Sequence, residues 1–128
     1  MDKKTENIIW EELLGMHLKD EENMNEKQKY VLYAYAYAHA VDYWGFENYI
    51  DSYNDGPEMT YRSLLEVGNE AIADNFMRAY NARETRDFYE TDMEYRSFDP
   101  ELFDLIVEYI YEHSEDIIGY DIKTVSED

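Results

Sequence analysis

The sequence has no cysteine, only two prolines and five glycines, and only 11 lysines and arginines against 31 aspartates and glutamates. Each shortage excludes something. Without cysteine there is no disulfide framework, thiolate zinc site, iron–sulfur centre or cysteine nucleophile, and no sign of an oxidising compartment. With so little proline and glycine nothing marks a linker, so the 128 residues are read as one domain, 1–128. No run of about 18 apolar residues occurs, and no apolar segment follows the lysines of the opening MDKKTENIIW. That predicts a soluble, cytoplasmic protein. The scarcity of bases leaves a formal charge of −20. Such a surface repels phosphate backbones and anionic lipid over a screening length of about 8–10 Å, so neither nucleic acid nor membrane is expected as a direct partner.

Acidity of this degree often accompanies disorder, but 45% of the residues are hydrophobic and 16% aromatic, with 14 tyrosines. That is too much apolar area for a solvated tail. The charge is also uneven: residues 84–128 hold 15 acids and 3 bases, whereas residues 1–29 hold 8 and 5. An all-α fold of about six helices with an acidic C-terminal face is therefore expected, residues 119–128 being a candidate disordered tail.

Hydrophobic spacing supplies the helices. The first starts after Thr5, carries Ile9, Trp10, Leu13, Leu14 and Leu18, and ends near Asp20. Asn25 with Gln28 three residues on forms a capping-box pattern opening a helix from Glu26 to about Tyr43. Within it Tyr33-Ala34-Tyr35-Ala36-Tyr37-Ala38 alternates like a strand, but alanine content, length and cap favour helix. Gly45 interrupts, and Phe46–Tyr53 reads as a short helix. Pro57 opens another, with Gly68 as its C′ residue. Asn69 caps Glu70–Asn81, with Ile72, Ala73, Phe76, Met77 and Tyr80 turned inward. Residues 82–97 give no clear pattern. Asp99-Pro100 signals a last helix with the stripe Leu102, Phe103, Ile106, Val107 and Ile110, and nothing after Ile118 reads as regular.

The stretch Val41-Asp42-Tyr43-Trp44-Gly45-Phe46-Glu47-Asn48-Tyr49-Ile50, followed by Ser63-Leu64-Leu65-Glu66-Val67-Gly68 and Ala73, resembles the bacterial DNA-mimic-protein-like family. That family has a Gly-Gly-Phe step before a short aromatic helix and an Ala-Leu-x-x-Ile-Gly-Ala step joining the next two. Val41 to Tyr80 carries the match, and Asp99 to Tyr111 resembles the family's C-terminal helix more loosely. Tyr43-Trp44 depart from the family's Asn and Gly, and Asn69 from its Ala. The resemblance implies an all-helical fold. It also implies a protein that imitates DNA with carboxylates and occupies the DNA-binding surface of a transcriptional regulator.

The residues themselves point to one charged feature. Glu101, Asp104, Glu108, Glu112 and Glu115 are spaced 3, 4, 4 and 3 apart, which stacks them on one helix face opposite the apolar stripe. Glu90, Asp92 and Glu94, beside Tyr89 and Tyr95, are candidates to extend the row. Like charges so placed cost roughly 0.2–0.5 kcal/mol per pair, a cost that a cationic groove would relieve. The bland reading is the solvated face of an amphipathic helix. Most tyrosines are read as packing residues, Tyr33, Tyr37 and Val41 sharing one face. His17, His39 and His113 each precede an aspartate by three, Asp20, Asp42 and Asp116, which suits helix-surface pairs and, less simply, a metal-binding or pH-sensitive unit. No His-Glu-x-x-His, no Glu-x-x-His, no phosphate-binding glycine loop and no Gly-x-Ser-x-Gly is present.

These features predict no enzyme, cofactor or metal, but an acidic inhibitor, bacterial or phage, that blocks the groove of a basic DNA- or RNA-binding protein. Such a target could be a transcription regulator, a nucleoid protein, or a restriction or CRISPR nuclease. An immunity protein against a basic toxin nuclease, a metal-binding enzyme or sensor using the His-x-x-Asp pairs, and acidity for solubility alone are the alternatives. The oligomeric state is left open, a homodimer included.

Overall fold

In the computed structural model, residues 3–17, 21–52 and 57–122 are described, with 5, 14, 16 and 17 described in backbone only. The helices are α1 (Lys3–His17), α2 (Glu26–Trp44), α3 (Phe46–Ser52), α4 (Pro57–Val67), α5 (Glu70–Asn81), α6 (Tyr89–Ser97), α7 (Leu102–Glu112) and α8 (Ser114–Ile118). No strand occurs among the described residues. Among the described residues there are eight α-helices where about six were expected. Helix α6 was hidden because only Tyr95 of its nine residues is buried, so it has almost no apolar period to read. Helix α8 is separate because the chain turns at His113, where the stripe of α7 gives out and Ser114 and Ile117 begin a new buried face.

Helix α2 is the hub, in contact with α1, α3, α4, α7 and α8. Its capping box forms as the sequence suggests: Gln28 N–H donates to Asn25 Oδ1 at 2.9 Å, and Asn25 N–H donates to Gln28 Oε1 at 3.0 Å. The same two residues reach further. Asn25 Nδ2 donates to the Asp116 carbonyl at 2.7 Å and Gln28 Nε2 to the Ile117 carbonyl at 2.9 Å, so the start of α2 satisfies orphan carbonyls at the end of α8. The Tyr-Ala alternation is helical. Ala34, Ala38 and Ala40 are buried, letting neighbouring helices come close, while Tyr37 and Val41 enter the core.

Tyr37 sits among edge-on rings: Tyr49 at 5.0 Å, Phe76 at 5.3 Å, Tyr95 at 6.0 Å and Phe46 at 6.4 Å between centroids. Edge-to-face packing of this kind adds about 0.5–1.5 kcal/mol per pair beyond area burial. Burial pushes the Tyr37 phenol well above its ordinary range, so it stays neutral. Tyr49 and Thr60, also buried, satisfy each other's hydroxyls at 2.8 Å.

Several boundaries differ from the sequence reading. Helix α1 already includes Lys3 and Lys4, before Thr5, and lysine is a good helix former. Helix α7 opens at Leu102 with Glu101 as its extended N-cap residue, and Pro100 lies in the bend before it. Gly68 ends α4, but its backbone is not left-handed. Its need for glycine is spatial: an added Cβ would lie 2.8 Å from the Leu64 carbonyl and 3.4 Å from Leu102 Cδ1. On α5, Asn75 and Ala79 are buried while Met77 and Tyr80 are half-buried. Of the segment read as a tail, residues 119–122 are described. Ile122 is fully buried and donates its N–H to Ser114 Oγ at 3.0 Å. The expected ends at Asp20 and Tyr53, the turn before Pro57, and residues 123–128 lie outside the described residues.

Candidate protein-binding surface

From residue 101 to residue 112 four positions are exposed, and they are Glu101, Asp104, Glu108 and Glu112. The period of the helix causes this. Leu102, Ile106, Val107 and Ile110 face the core, Phe103, Leu105, Tyr109 and Tyr111 flank them half-buried, and the remaining solvent-facing residues are all carboxylates. None of the four forms an ion pair with a described cation. Glu115, the fifth residue expected in the row, is exposed as well but stands on α8 beyond the turn at His113, so the straight row is four long. At that turn Glu112, His113, Glu115, Asp116 and Asp121 border an acidic cleft of about 210 Å³.

The three acids on α6 behave differently. Glu90 is exposed. Asp92 turns inward and accepts the Phe46 N–H at 3.0 Å, acting as a tertiary cap on the N-terminus of α3. Glu94 accepts from Asn75 Nδ2 at 2.7 Å and from Arg78. Two of the three are thus engaged in holding α6 against α3 and α5. Sequence spacing could not show it, because the donors lie 46 and 19 residues away. The described ion pairs are Arg78 with Glu94, Arg86 with Glu47 and Asp51, and Lys27 with Asp116. They take cations to other parts of the surface and leave α7 bare.

Where the ends of α2 and α6 meet the start of α7, Asp42, Tyr95, Arg96, Glu101, Leu102 and Phe103 line a cleft of about 90 Å³. The buried Tyr95 shares this cleft with Asp42, and its hydroxyl interacts with the carboxylate. Partial burial raises the Asp42 pKa, while the Tyr95 bond, Arg96 and His39 pull it back. A carboxyl whose folded pKa is raised holds its proton more firmly in the folded chain, so its contribution to stability falls as pH rises out of the carboxylate range. Asp42→Asn keeps an acceptor for Tyr95 and removes the charge. Urea midpoints of variant and wild type are expected to converge below about pH 4, where Asp42 is protonated in both states, with the variant the more stable at about pH 7. A variant less stable at neutral pH would show that the charge supports the corner.

The histidine pairs divide. His39 is exposed and stacked on Tyr35, with centroids 5.9 Å apart, and is near enough to Asp42 for their charges to interact. His113 packs on Tyr109 at 4.5 Å, while Asp116 pairs with Lys27 at 3.6 Å. The pair His17 and Asp20 lies outside the described side chains. Among the described residues no group of three or more His, Asp or Glu is arranged to hold a metal ion, and no helix is long and apolar enough to cross a membrane. Around α7 the field is negative: burial, followed by the Glu66 carboxylate, pushes the Tyr109 phenol up to about 12.

Sequence reasoning missed one feature of the surface. Tyr43 and Trp44, at the end of α2, are 69% and 71% exposed, and Tyr89 and Met93 on α6 are 72% and 53% exposed. The available signal was two large aromatics directly before the glycine that stops α2, where no further helical turn remains to bury them. No protein-family model, curated protein or solved structure matches the chain.

Proposed function

We propose that the chain is a DNA-mimic protein, an acidic inhibitor that binds a basic nucleic-acid-binding protein and fills its groove with the carboxylates of α7. The observation that carries this reading is the exclusively acidic solvent face of residues 101–112. From Glu101 to Glu112 is about 16 Å of helix rise, so the four charges stand about 5.5 Å apart along the axis, against about one per 3.4 Å along a DNA strand. The row is sparser than a DNA strand but of the same order, and a groove lined with lysine and arginine can meet its charges one by one. Counterions condensed on the carboxylates would be released on binding, giving the salt dependence of a DNA complex, and the charge of −20 would steer the encounter. The resemblance of Val41–Tyr80 to DNA-mimic proteins points the same way. So does the cost of the row, since Glu108 and Glu112 oppose both each other and the negative end of the helix dipole.

The test replaces Glu101, Asp104, Glu108 and Glu112 together by Gln, which removes charge and keeps side-chain length at the three glutamates and helix propensity along the row. At low salt the variant is expected to gain up to about 1 kcal/mol of stability in urea unfolding, as three like-charge contacts disappear. In pull-downs from the source organism's lysate, wild type is expected to retain a DNA- or RNA-binding protein at low salt, release it at high salt, and be displaced by duplex DNA. The variant is expected to retain none. Identical captures by the two baits would reduce the row to a solvated helix face.

A further inference from the structure

Helix α6 runs past the end of α2 in the opposite sense. Phe88 packs on Phe46, the first residue of α3, with centroids 4.9 Å apart, Asp92 accepts from the Phe46 N–H, and Tyr95 meets Tyr37 of α2 at 6.0 Å and borders the same cleft as Asp42. The start of α6 thus lies beside Phe46, just past the end of α2, and its far end lies beside α2 itself, which brings residues 43 and 44 close to this helix. The exposed Tyr43, Trp44, Tyr89 and Met93 therefore flank one seam, and they are four of the six large apolar side chains exposed among the described residues. Tyr43 and Trp44 meet edge to face at 5.2 Å, which presents a fixed aromatic surface. Single exposed apolar residues need no explanation, but a concentration of this kind marks a contact surface. Tyr, Trp and Met are also among the side chains enriched at interfaces.

Charge says what the seam would contact. Glu90 is exposed between Tyr89 and Met93. At the end of α6 Asp42, Arg96 and Glu101 border the same small cleft, and Glu101 begins the carboxylate row of α7. The exposed aromatics and the acidic row thus adjoin this cleft, with Arg96 the one cation among its lining residues. A planar guanidinium suits such a border, because it lies flat on indole or phenol faces while its N–H groups reach carboxylates. A lysine ammonium is more strongly hydrated and stacks less well.

We infer that Tyr43, Trp44, Tyr89 and Met93 form the anchoring seat for an arginine-bearing segment of the basic partner, an inference that rests on the reading of α7 as a carboxylate line. The row supplies long-range attraction and the seat supplies selectivity for arginine.

The probes are two labelled peptides of equal length and charge, one of arginine and one of lysine, titrated by fluorescence anisotropy at low and moderate salt. Wild type is expected to bind the arginine peptide about fivefold tighter. Tyr43→Ala with Trp44→Ala is expected to abolish that preference while leaving salt-dependent binding of both peptides. Trp44→Phe alone should retain most of it. The quadruple Gln variant of α7 is expected to weaken both peptides and keep the preference. Equal binding of the two peptides by wild type, or a preference that survives the double alanine change, overturns the seat and leaves the row standing. Unchanged binding by the quadruple variant overturns the row instead, and failure of wild type to bind either peptide overturns both. Sedimentation of wild type and the double alanine variant supplies the remaining outcome: a dimer that the change converts to monomer makes the seam a contact between copies and overturns the proposal. Far-UV circular dichroism checks that each variant is folded, and the arginine-to-lysine ratio of wild type tests the seat even where a variant is not.

Discussion

Phe76→Ala is expected to lower the unfolding free energy by about 4 kcal/mol, the largest loss expected of any single change considered for this chain. The side chain is completely buried. Its ring has Tyr37 at 5.3 Å, Tyr49 at 5.8 Å, Tyr80 at 5.9 Å and Phe46 at 6.0 Å, so truncation removes apolar burial and several ring pairs at once. Three of these rings, Tyr37 on α2 and Phe46 and Tyr49 on α3, are buried and held by other helices, so the hole cannot close by simple collapse. Since domains commonly have about 5–15 kcal/mol in total, the variant should be partly unfolded at moderate temperature. Urea unfolding followed by circular dichroism reads the effect, and Phe76→Leu, which refills part of the space, should recover more than half of it. A loss below about 2 kcal/mol would mean that the aromatic cluster is loosely packed.

Gly45→Ala is expected to cost about 3 kcal/mol for two separable reasons. The residue has φ 82° and ψ −175°, a region essentially reserved for glycine, and forcing a Cβ into it costs of order 1–3 kcal/mol. The added atom would also lie 2.6 Å from Asp92 Oδ2, displacing the carboxylate that caps α3 through the Phe46 N–H. A charge-assisted bond of that kind contributes about 1.5–3 kcal/mol. Repeating the change in an Asp92→Ala background separates the two parts, because only the backbone strain then remains. The double variant should therefore be less destabilised than the sum of the singles. Strict additivity would show that Gly45 and Asp92 do not depend on each other, and would remove the steric part of the argument.

The helices that were legible are those whose evidence is local. Asn25 and Gln28 announce α2 within four residues, Asn69 announces α5 by accepting the Ile72 N–H, and the stripe of α7 repeats at helical spacing. Helix α6 is held by bonds to residues far away in sequence, namely Asp92 to Phe46 and Glu94 to Asn75, and neither has a periodic trace. Buried Asn75 was invisible for the same reason: its place depends on Glu94 and the Thr91 carbonyl. On the surface, Glu101, Asp104, Glu108 and Glu112 emerged from spacing because exposure on a helix follows its period. Spacing also added Asp92 and Glu94, whose inward turn depends on tertiary partners, and carried Glu115 across a turn at His113 that has no glycine or proline to mark it.

The bonds from Asn25 and Gln28 to the carbonyls of Asp116 and Ile117 join backbone positions about ninety residues apart. Their consequence appears in how the molecule opens. The first turn of α2 and the last turn of α8 cannot fray independently, since loosening either leaves unsatisfied polar groups on the other. In hydrogen exchange the two ends therefore belong to one cooperative unit, with amides that lose protection together. A protease cut close to Gly119 would be felt at the first turn of α2, about ninety residues away in sequence.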